Sequence, residues 1–362
     1  MHLKRLTKIV FSVILLIFWL QPVYSQNIIC NYCGKGIKGS YLQIDGKYFH
    51  PEHFICFRCG KRISGKYNKS GNNYFHPECY SEAFIGKCAF CKKPINGEYI
   101  EKEGKKYHQS CFEKNIAVKC DVCGETISGE YFVDYFGNKY HAKHQREFNE
   151  CENCRRLICN KLTGGGVKLP DGRDICSFCN KNAVKTTGEV NKLSNKVYSS
   201  LKRLGFEINI KNVAVVAVDK DQLKQAAGSY FVDNMKGYCL SEKKEMKSQS
   251  RKSISYRHTI YVLNYAPHLY IESTIAHEMM HVWITENTKG NHSAGLREGS
   301  CNYLSYVYVL SQSGTDAEII KKILFDDPSK DYGDGFRSVY RKVNGKPLNY
   351  LFTYLRQHSD IW

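Results

Sequence analysis

Residues 30–59 open with Cys30-Asn31-Tyr32-Cys33, run on to His50-Pro51-Glu52-His53, and close on Phe54-Ile55-Cys56-Phe57-Arg58-Cys59. Each pair of soft donors is separated by two residues, which lets one tight turn present both. A tetrahedral zinc site takes two such pairs. The arrangement repeats along the chain. Cys56 and Cys59 are completed by His76 and Cys79, Cys88 and Cys91 by His108 and Cys111, Cys120 and Cys123 by His141 and His144, and Cys151 and Cys154 by Cys176 and Cys179. Four of these units carry a Gly-x-Tyr step (Gly39 to Tyr41, Gly65 to Tyr67, Gly97 to Tyr99, Gly129 to Tyr131). They also carry an aromatic residue just before the first histidine: Phe49, Phe75, Tyr107 and Tyr140. Two short β-hairpins per unit are expected, with the aromatic beneath the metal. Units this small have little core, so metal must supply much of their folding free energy.

The pattern absorbs all of the 17 cysteines except Cys159, Cys239 and Cys301. Disulfides are the competing use. The histidines at metal-ligand offsets weigh against them, because a disulfide framework has no need of histidine. Paired zinc units separated by two residues (Phe54-Ile55) resemble a LIM domain, whose eight ligand positions match Cys30, Cys33, His50, His53, Cys56, Cys59, His76 and Cys79. The expected divisions are a LIM domain at 28–81, LIM-like units at 86–115 and 118–146, and a four-cysteine zinc unit at 149–181. The last carries a Gly164-Gly165-Gly166 insertion and the spare Cys159. LIM domains are protein-interaction modules, so the resemblance implies a protein partner.

Residues 1–25 have the layout of a secretory signal: basic Lys4, Arg5 and Lys8, an apolar run over 9–20, then Pro22 and small residues near Ser25. The run is short of the roughly 20 residues that span a bilayer. A secreted or periplasmic protein without a stable membrane span is therefore expected, the alternative being an uncleaved anchor. The formal charge of +18 suggests nucleic acid at first sight. Anionic thiolate sites and loss of the leader reduce that charge, and the basic residues are scattered, so no nucleic-acid partner is expected.

The second half carries a catalytic signature. Residues 190–204 have helical spacing, 212–218 and 255–263 read as strands, and Pro267 opens a helix containing His277-Glu278-Met279-Met280-His281. Histidines four apart lie on one helical face, where both can bind one zinc, with Glu278 as general base. Ile275, Met279 and Val282 occupy the opposite face. By itself the pentapeptide could be a chance match. Glu298, on a second apolar periodic segment, completes a set of two histidines and one glutamate, the ligands of the glutamate-type zinc peptidases. Asn302, one turn later, is placed to orient a ligating histidine. Tyr265, His292 and Tyr306 are candidate oxyanion donors that sequence does not rank. Strand 255–263 is expected to offer an edge to extended substrate.

Here the chain resembles a known family. Ala276 to His281 followed by Trp283, then Glu298-Gly299-x-Cys301, is similar to the plant organ-size regulators, which are LIM-bearing, ubiquitin-regulated zinc peptidases. Two further segments agree: 237–242 (GYCLSE) and 332–337 (YGDGFR). The resemblance runs from about residue 185 to the end. No ubiquitin-interacting segment is apparent, so neither ubiquitin regulation nor the plant substrates carry over. The expected fold is multidomain: small zinc-binding β-hairpin (LIM-like) units followed by an α+β zincin-type metallopeptidase domain at 185–362. The expected function is a secreted zinc-dependent endopeptidase acting on a protein or peptide substrate, with about five structural zincs and one catalytic zinc. The alternative is a secreted interaction scaffold with an inactive peptidase-like domain.

Overall fold

The computed structural model describes residues 28–248 and 251–361; the signal expected at 1–25 lies outside them. They form two compact units, one made of residues up to 119 with 125–130, the other of 120–124 with 131 onward.

In the first unit each zinc motif builds one hairpin, not two. The hairpins are Leu42–Ile44 with Lys47–Phe49, Asn68–Ser70 with Asn73–Phe75, and Ile100–Lys102 with Lys105–Tyr107. The other expected hairpin is a knuckle closed by a single bridge, such as Ile29 with Gly36 or Ile55 with Arg62. Its backbone does not extend a ladder because its own N–H groups turn toward sulfur: those of Arg58 and Cys59 donate to Cys56 Sγ. The residue after the second cysteine is left-handed, at Gly34 (φ 71°), Gly60 (69°) and Lys92 (63°). Glycine takes that conformation without a Cβ clash, and Lys92 bears the strain. Phe54, from the two-residue spacer, is buried among Phe49, Tyr67 and Tyr74, with ring centroids 5.1–5.7 Å away. Two metal sites thereby share one aromatic core.

The second unit begins with two more zinc motifs, whose hairpins are Tyr131–Val133 with Lys139–His141 and Gly166–Lys168 with Asp174–Cys176. The main elements then follow: α1 (Thr187–Lys202), β1 (Val213–Val218), α2 (Lys220–Ala227), β2 (Gly237–Ser248), β3 (Arg251–Leu263), α3 (His268–Asn287), α4 (Ala294–Leu310), α5 (Thr315–Asp326), α6 (Gly335–Val343) and α7 (Leu348–Gln357). Thr186 and Glu189 cap α1 reciprocally, so the polar composition near 181–188 includes a helix start. The core joins Val190, Val197 and Leu201 of α1 to Ile260 and Val262 of β3. It continues through Ile275, Met279 and Val282 of α3 to Leu304 and Tyr308 of α4.

The sheet order is β1-β3-β2, with β3 parallel to β1 and antiparallel to β2. This corrects the expectation that 255–263 is the edge. The apolar run of β1 occupies one side of β3, and β2 takes the other and becomes the edge toward the cleft.

The four-cysteine motif is fastened to this half. Ala183–Val184 pairs with Ala266–Pro267, and Asn153 Nδ2 donates to the Tyr265 carbonyl at 2.8 Å. Buried Arg173 donates to the Asn264 carbonyl and Oδ1, both at 2.7 Å, and pairs with buried Asp171 at 2.8 Å. Burial alone would push the Asp171 carboxyl up. Arg173 and the Lys220 N–H outweigh it and hold the carboxyl below its ordinary value of 3.8. Arg173→Met should strand that carboxylate and destabilise the second unit by about 3–5 kcal/mol in urea unfolding at neutral pH. Because the folded pKa is depressed, the pair's contribution is present above pH 3.8 and vanishes as pH falls through the folded value. The difference between wild type and variant should narrow accordingly.

Candidate functional site

Helix α3 places His277 and His281 one above the other, while Ile275, Met279 and Val282 on the far side are fully buried and hold the helix against the core. Helix α4 brings Glu298 to both: His277 Nε2 and His281 Nε2 each lie 3.4 Å from Glu298 Oε2. Ligands ~2.0–2.1 Å from a tetrahedral metal stand roughly 3.3–3.4 Å apart. Glu298 is buried, and its Oε2 has no hydrogen bond, while Oε1 accepts from Arg297 Nε at 3.0 Å. Burial opposes ionisation of Glu298, but the two histidines prevail and hold its carboxyl well below the carboxylate range. An ionised, under-bonded oxygen facing two imidazole nitrogens is the donor set of a zinc site. His277 Nδ1 lies 2.9 Å from Asn302 Oδ1. Because an amide oxygen only accepts, Nδ1 carries the proton and Nε2 presents its lone pair.

Glu278 is buried next to this cluster. Burial pushes its carboxyl up to about 7; His277 works against the rise and Glu298 adds to it. Gly237, the first residue of β2, lies directly against it. A Cβ there would sit 2.7 Å from both Glu278 Oε1 and Thr274 Cγ2, so only glycine lets the edge strand approach the carboxylate. The cleft they line encloses roughly 860 Å³.

Tyr332, to which the sequence reading gave no role, sits in the same cleft. Its ring stacks on His277 with centroids 6.2 Å apart, and its carbonyl accepts from Asn302 Nδ2 at 3.2 Å. Burial, then Glu298 and Glu278, push its hydroxyl well above the usual range, so it stays a donor. Gly299 makes this placement feasible, since a Cβ there would fall 2.4 Å from the Gly335 carbonyl carbon. The segment following Tyr332 can thus lie flat on α4. The only signal in the sequence was the family-like stretch 332–337. The three donors considered earlier lie elsewhere. Tyr265 packs on the four-cysteine motif, His292 Nε2 donates to the Leu355 carbonyl at 2.8 Å, and Tyr306 is enclosed by Phe325, Phe336 and Tyr340. Cys239 and Cys301 are free thiols. Burial, aided by Glu278, pushes Cys239 up to about 12.

The five Cys/His sets also converge, each as a compact cluster of donor atoms: Cys30, Cys33, His50 and His53; Cys56, Cys59, His76 and Cys79; Cys88, Cys91, His108 and Cys111; Cys120, Cys123, His141 and His144; Cys151, Cys154, Cys176 and Cys179. Their surroundings suit zinc. His76 and His108 direct Nδ1 at cysteine sulfur (3.4 and 3.3 Å) while Nε2 donates to a backbone carbonyl (3.0 and 2.9 Å), which sets the tautomer that ligation needs. His144 inverts the arrangement. Its Nδ1 is held by Glu147 at 2.5 Å, and its buried Nε2 is left without a hydrogen bond. Cys154 Sγ and Cys176 Sγ are 3.7 Å apart, against roughly 3.8 Å for thiolates ~2.3 Å from a tetrahedral zinc. Cys159 is buried outside its cluster. The knuckle between Cys151 and Cys154 contributes Glu152 and Asn153 to the cleft wall, and Arg155 just after it lines the wall too, with Glu152 Oε2 2.7 Å from Lys236 Nζ, one residue before Gly237.

Residues 30–84 match the LIM domain family, and residues 246–324 match the family described as Protein DA1. The chain carries LIM zinc-binding units followed by a DA1-like domain. It is 25% identical over 285 residues to LIM domain-containing protein HDR3 of Oryza sativa subsp. japonica, covering 61% of this chain and 56% of that protein. It is 28% identical over 209 residues to Protein DA1-related 2 of Arabidopsis thaliana (50% and 39%), and 24% identical over 257 residues to Protein DA1 of the same plant (56% and 48%). The resemblance to the plant family read from the sequence therefore holds. The chain spans about half the length, or less, of these relatives. A LIM domain points to protein–protein interaction. Among the described residues no helix is long and apolar enough to cross a membrane. The matches also correct the expected function: what they support is a DA1-like LIM-domain protein, and they carry nothing for the secretion that was part of the expectation.

Stripping metal with a strong chelator should abolish amide protection in the hairpins at 42–49, 68–75 and 100–107, read by hydrogen-exchange mass spectrometry. Unchanged protection in metal-free protein would exclude structural metal there.

Proposed function

We infer that residues 185–362 form a zincin-type, zinc-dependent peptide hydrolase, and that the units at 28–81, 86–115, 118–146 and 149–181 hold five structural zincs. The observation that carries this reading is the convergence of His277 Nε2, His281 Nε2 and Glu298 Oε2 at tetrahedral spacing beside a buried Glu278. Zinc bound by those three residues would supply a Lewis acid that polarises the scissile carbonyl and acidifies water.

The remaining work falls to the chain. The free edge of β2 pairs with an extended substrate backbone and leads the scissile bond past Gly237 to Glu278. Glu278 takes the proton of the attacking water on a carboxylate oxygen and returns it to the leaving amine. The Tyr332 hydroxyl, kept protonated beside the cleft it lines, donates to the oxyanion. Asn302 holds His277 in the ligating tautomer. The LIM domain recruits a protein substrate or partner.

Glu278→Gln should lower peptide hydrolysis by about 10²–10⁴-fold with full zinc content by elemental mass spectrometry. Equal turnover by wild type and variant, or none by either across a broad peptide library, would sink the enzymatic reading. Asn302→Ala should weaken retention of the sixth zinc by about 10–100-fold in a chelator competition, with the other five retained.

A further inference from the structure

One polar chain in the cleft wall has no part in this mechanism. Ser241 on β2 stands directly opposite His258 on β3, with Oγ 2.8 Å from His258 Nδ1. His258 Nε2 lies 3.2 Å from Glu286 Oε1, near the end of α3. His258 is completely buried, whereas the Glu286 side chain is 19% exposed. Among the described residues no lysine or arginine forms an ion pair with Glu286. Ser241 also lines the same cleft as His281 and Glu298.

With Glu286 ionised and the His258 ring holding a single proton, donor and acceptor counts set the direction of the hydrogen bonds. An ionised carboxylate only accepts, so His258 Nε2 carries the proton. A neutral imidazole then has only a lone pair on Nδ1, and the Ser241 hydroxyl must donate to it. That proton points into the protein. Cys239 Sγ lies 3.8 Å from the same oxygen and can donate to it, so what Ser241 offers the cleft is its remaining oxygen lone pair, with the Glu286 charge behind it. The position is also defined. Ser241, Cys239 and Gly237 share one face of β2, and Ser241 lies about 13 Å along the strand from Gly237, which abuts Glu278.

We propose that Ser241, oriented by His258 and Glu286, is a substrate-binding subsite that accepts a hydrogen bond from a cationic side chain, lysine or arginine, four residues along an extended substrate from the position facing Gly237. This rests on the peptide-binding reading above and names a substrate class for it. Acidic side chains meet an oxygen lone pair with the Glu286 carboxylate behind the imidazole, and are disfavoured.

The test uses binding, so that it does not depend on turnover. Full-length, zinc-loaded Glu278→Gln protein is titrated with dye-labelled peptides that carry lysine, methionine or glutamate at each position in turn, followed by fluorescence anisotropy. Lysine at one position should tighten binding by about tenfold over methionine, as a charge-assisted hydrogen bond does, and glutamate should weaken it. Adding Ser241→Ala should bring lysine and methionine within about twofold of each other, and Glu286→Gln should shrink the same difference. No preference at any position, or a preference that survives both substitutions, overturns the proposal. Melting curves check each variant, and Glu286→Gln at the partly exposed helix end decides the matter should Ser241→Ala fail to fold. Turnover by wild type is scored separately. A lysine preference without hydrolysis keeps the subsite and removes the peptidase reading, and hydrolysis without the preference does the reverse.

Discussion

The second unit is organised around a buried anion. Glu298 is withdrawn from water with one oxygen short of hydrogen bonds, 3.4 Å from two imidazole nitrogens. An isolated buried carboxylate would cost many kcal/mol or take up a proton. It is tolerable here because cationic or metal-loaded partners face it, and those partners stay in place only while α3 and α4 remain packed. Much of the architecture serves that packing. Apolar residues on α3 face the core, Gly299 lets a following segment lie against α4, and Asn302 links His277 to the Tyr332 backbone.

Metal held by the Cys/His motifs would act in two ways. In the LIM domain it would replace the core that so short a segment cannot build, with Phe54 joining two sites through shared aromatics. In the four-cysteine motif the knuckle between Cys151 and Cys154 is part of the cleft wall itself, through Glu152, Asn153 and the Glu152–Lys236 pair. A metal in that motif therefore stabilises the approach to Gly237 as well as its own loop.

Much of this was legible in the sequence because it depends on short, fixed spacings. Two residues between cysteines make a knuckle, and histidines four apart on a helix make a shared face. The aromatic before each histidine is buried in all four units that carry it. Reading failed where strands choose neighbours. Residues 255–263 look like an edge or a centre equally well, since β periodicity reports faces and is silent on pairing. The second hairpin of each zinc motif failed for a related reason: sulfur acceptors compete for N–H groups that a ladder would need. Tyr332, Gly237 and Ser241 were quoted in the sequence without a role, because their use depends on what packs against them.

By itself, the sequence determined which Cys, His and Glu residues would cluster, the helix that carries His277 and His281, and the resemblance to a LIM-bearing DA1-like protein, all of which rest on local spacing and residue chemistry. Only the tertiary structure decided which strand is the edge, that Tyr332 rather than Tyr265, His292 or Tyr306 reaches the cleft, and that Ser241, His258 and Glu286 form one chain. Those outcomes join residues tens of positions apart. They are selected by burial and close backbone approach, quantities that no single stretch of sequence contains.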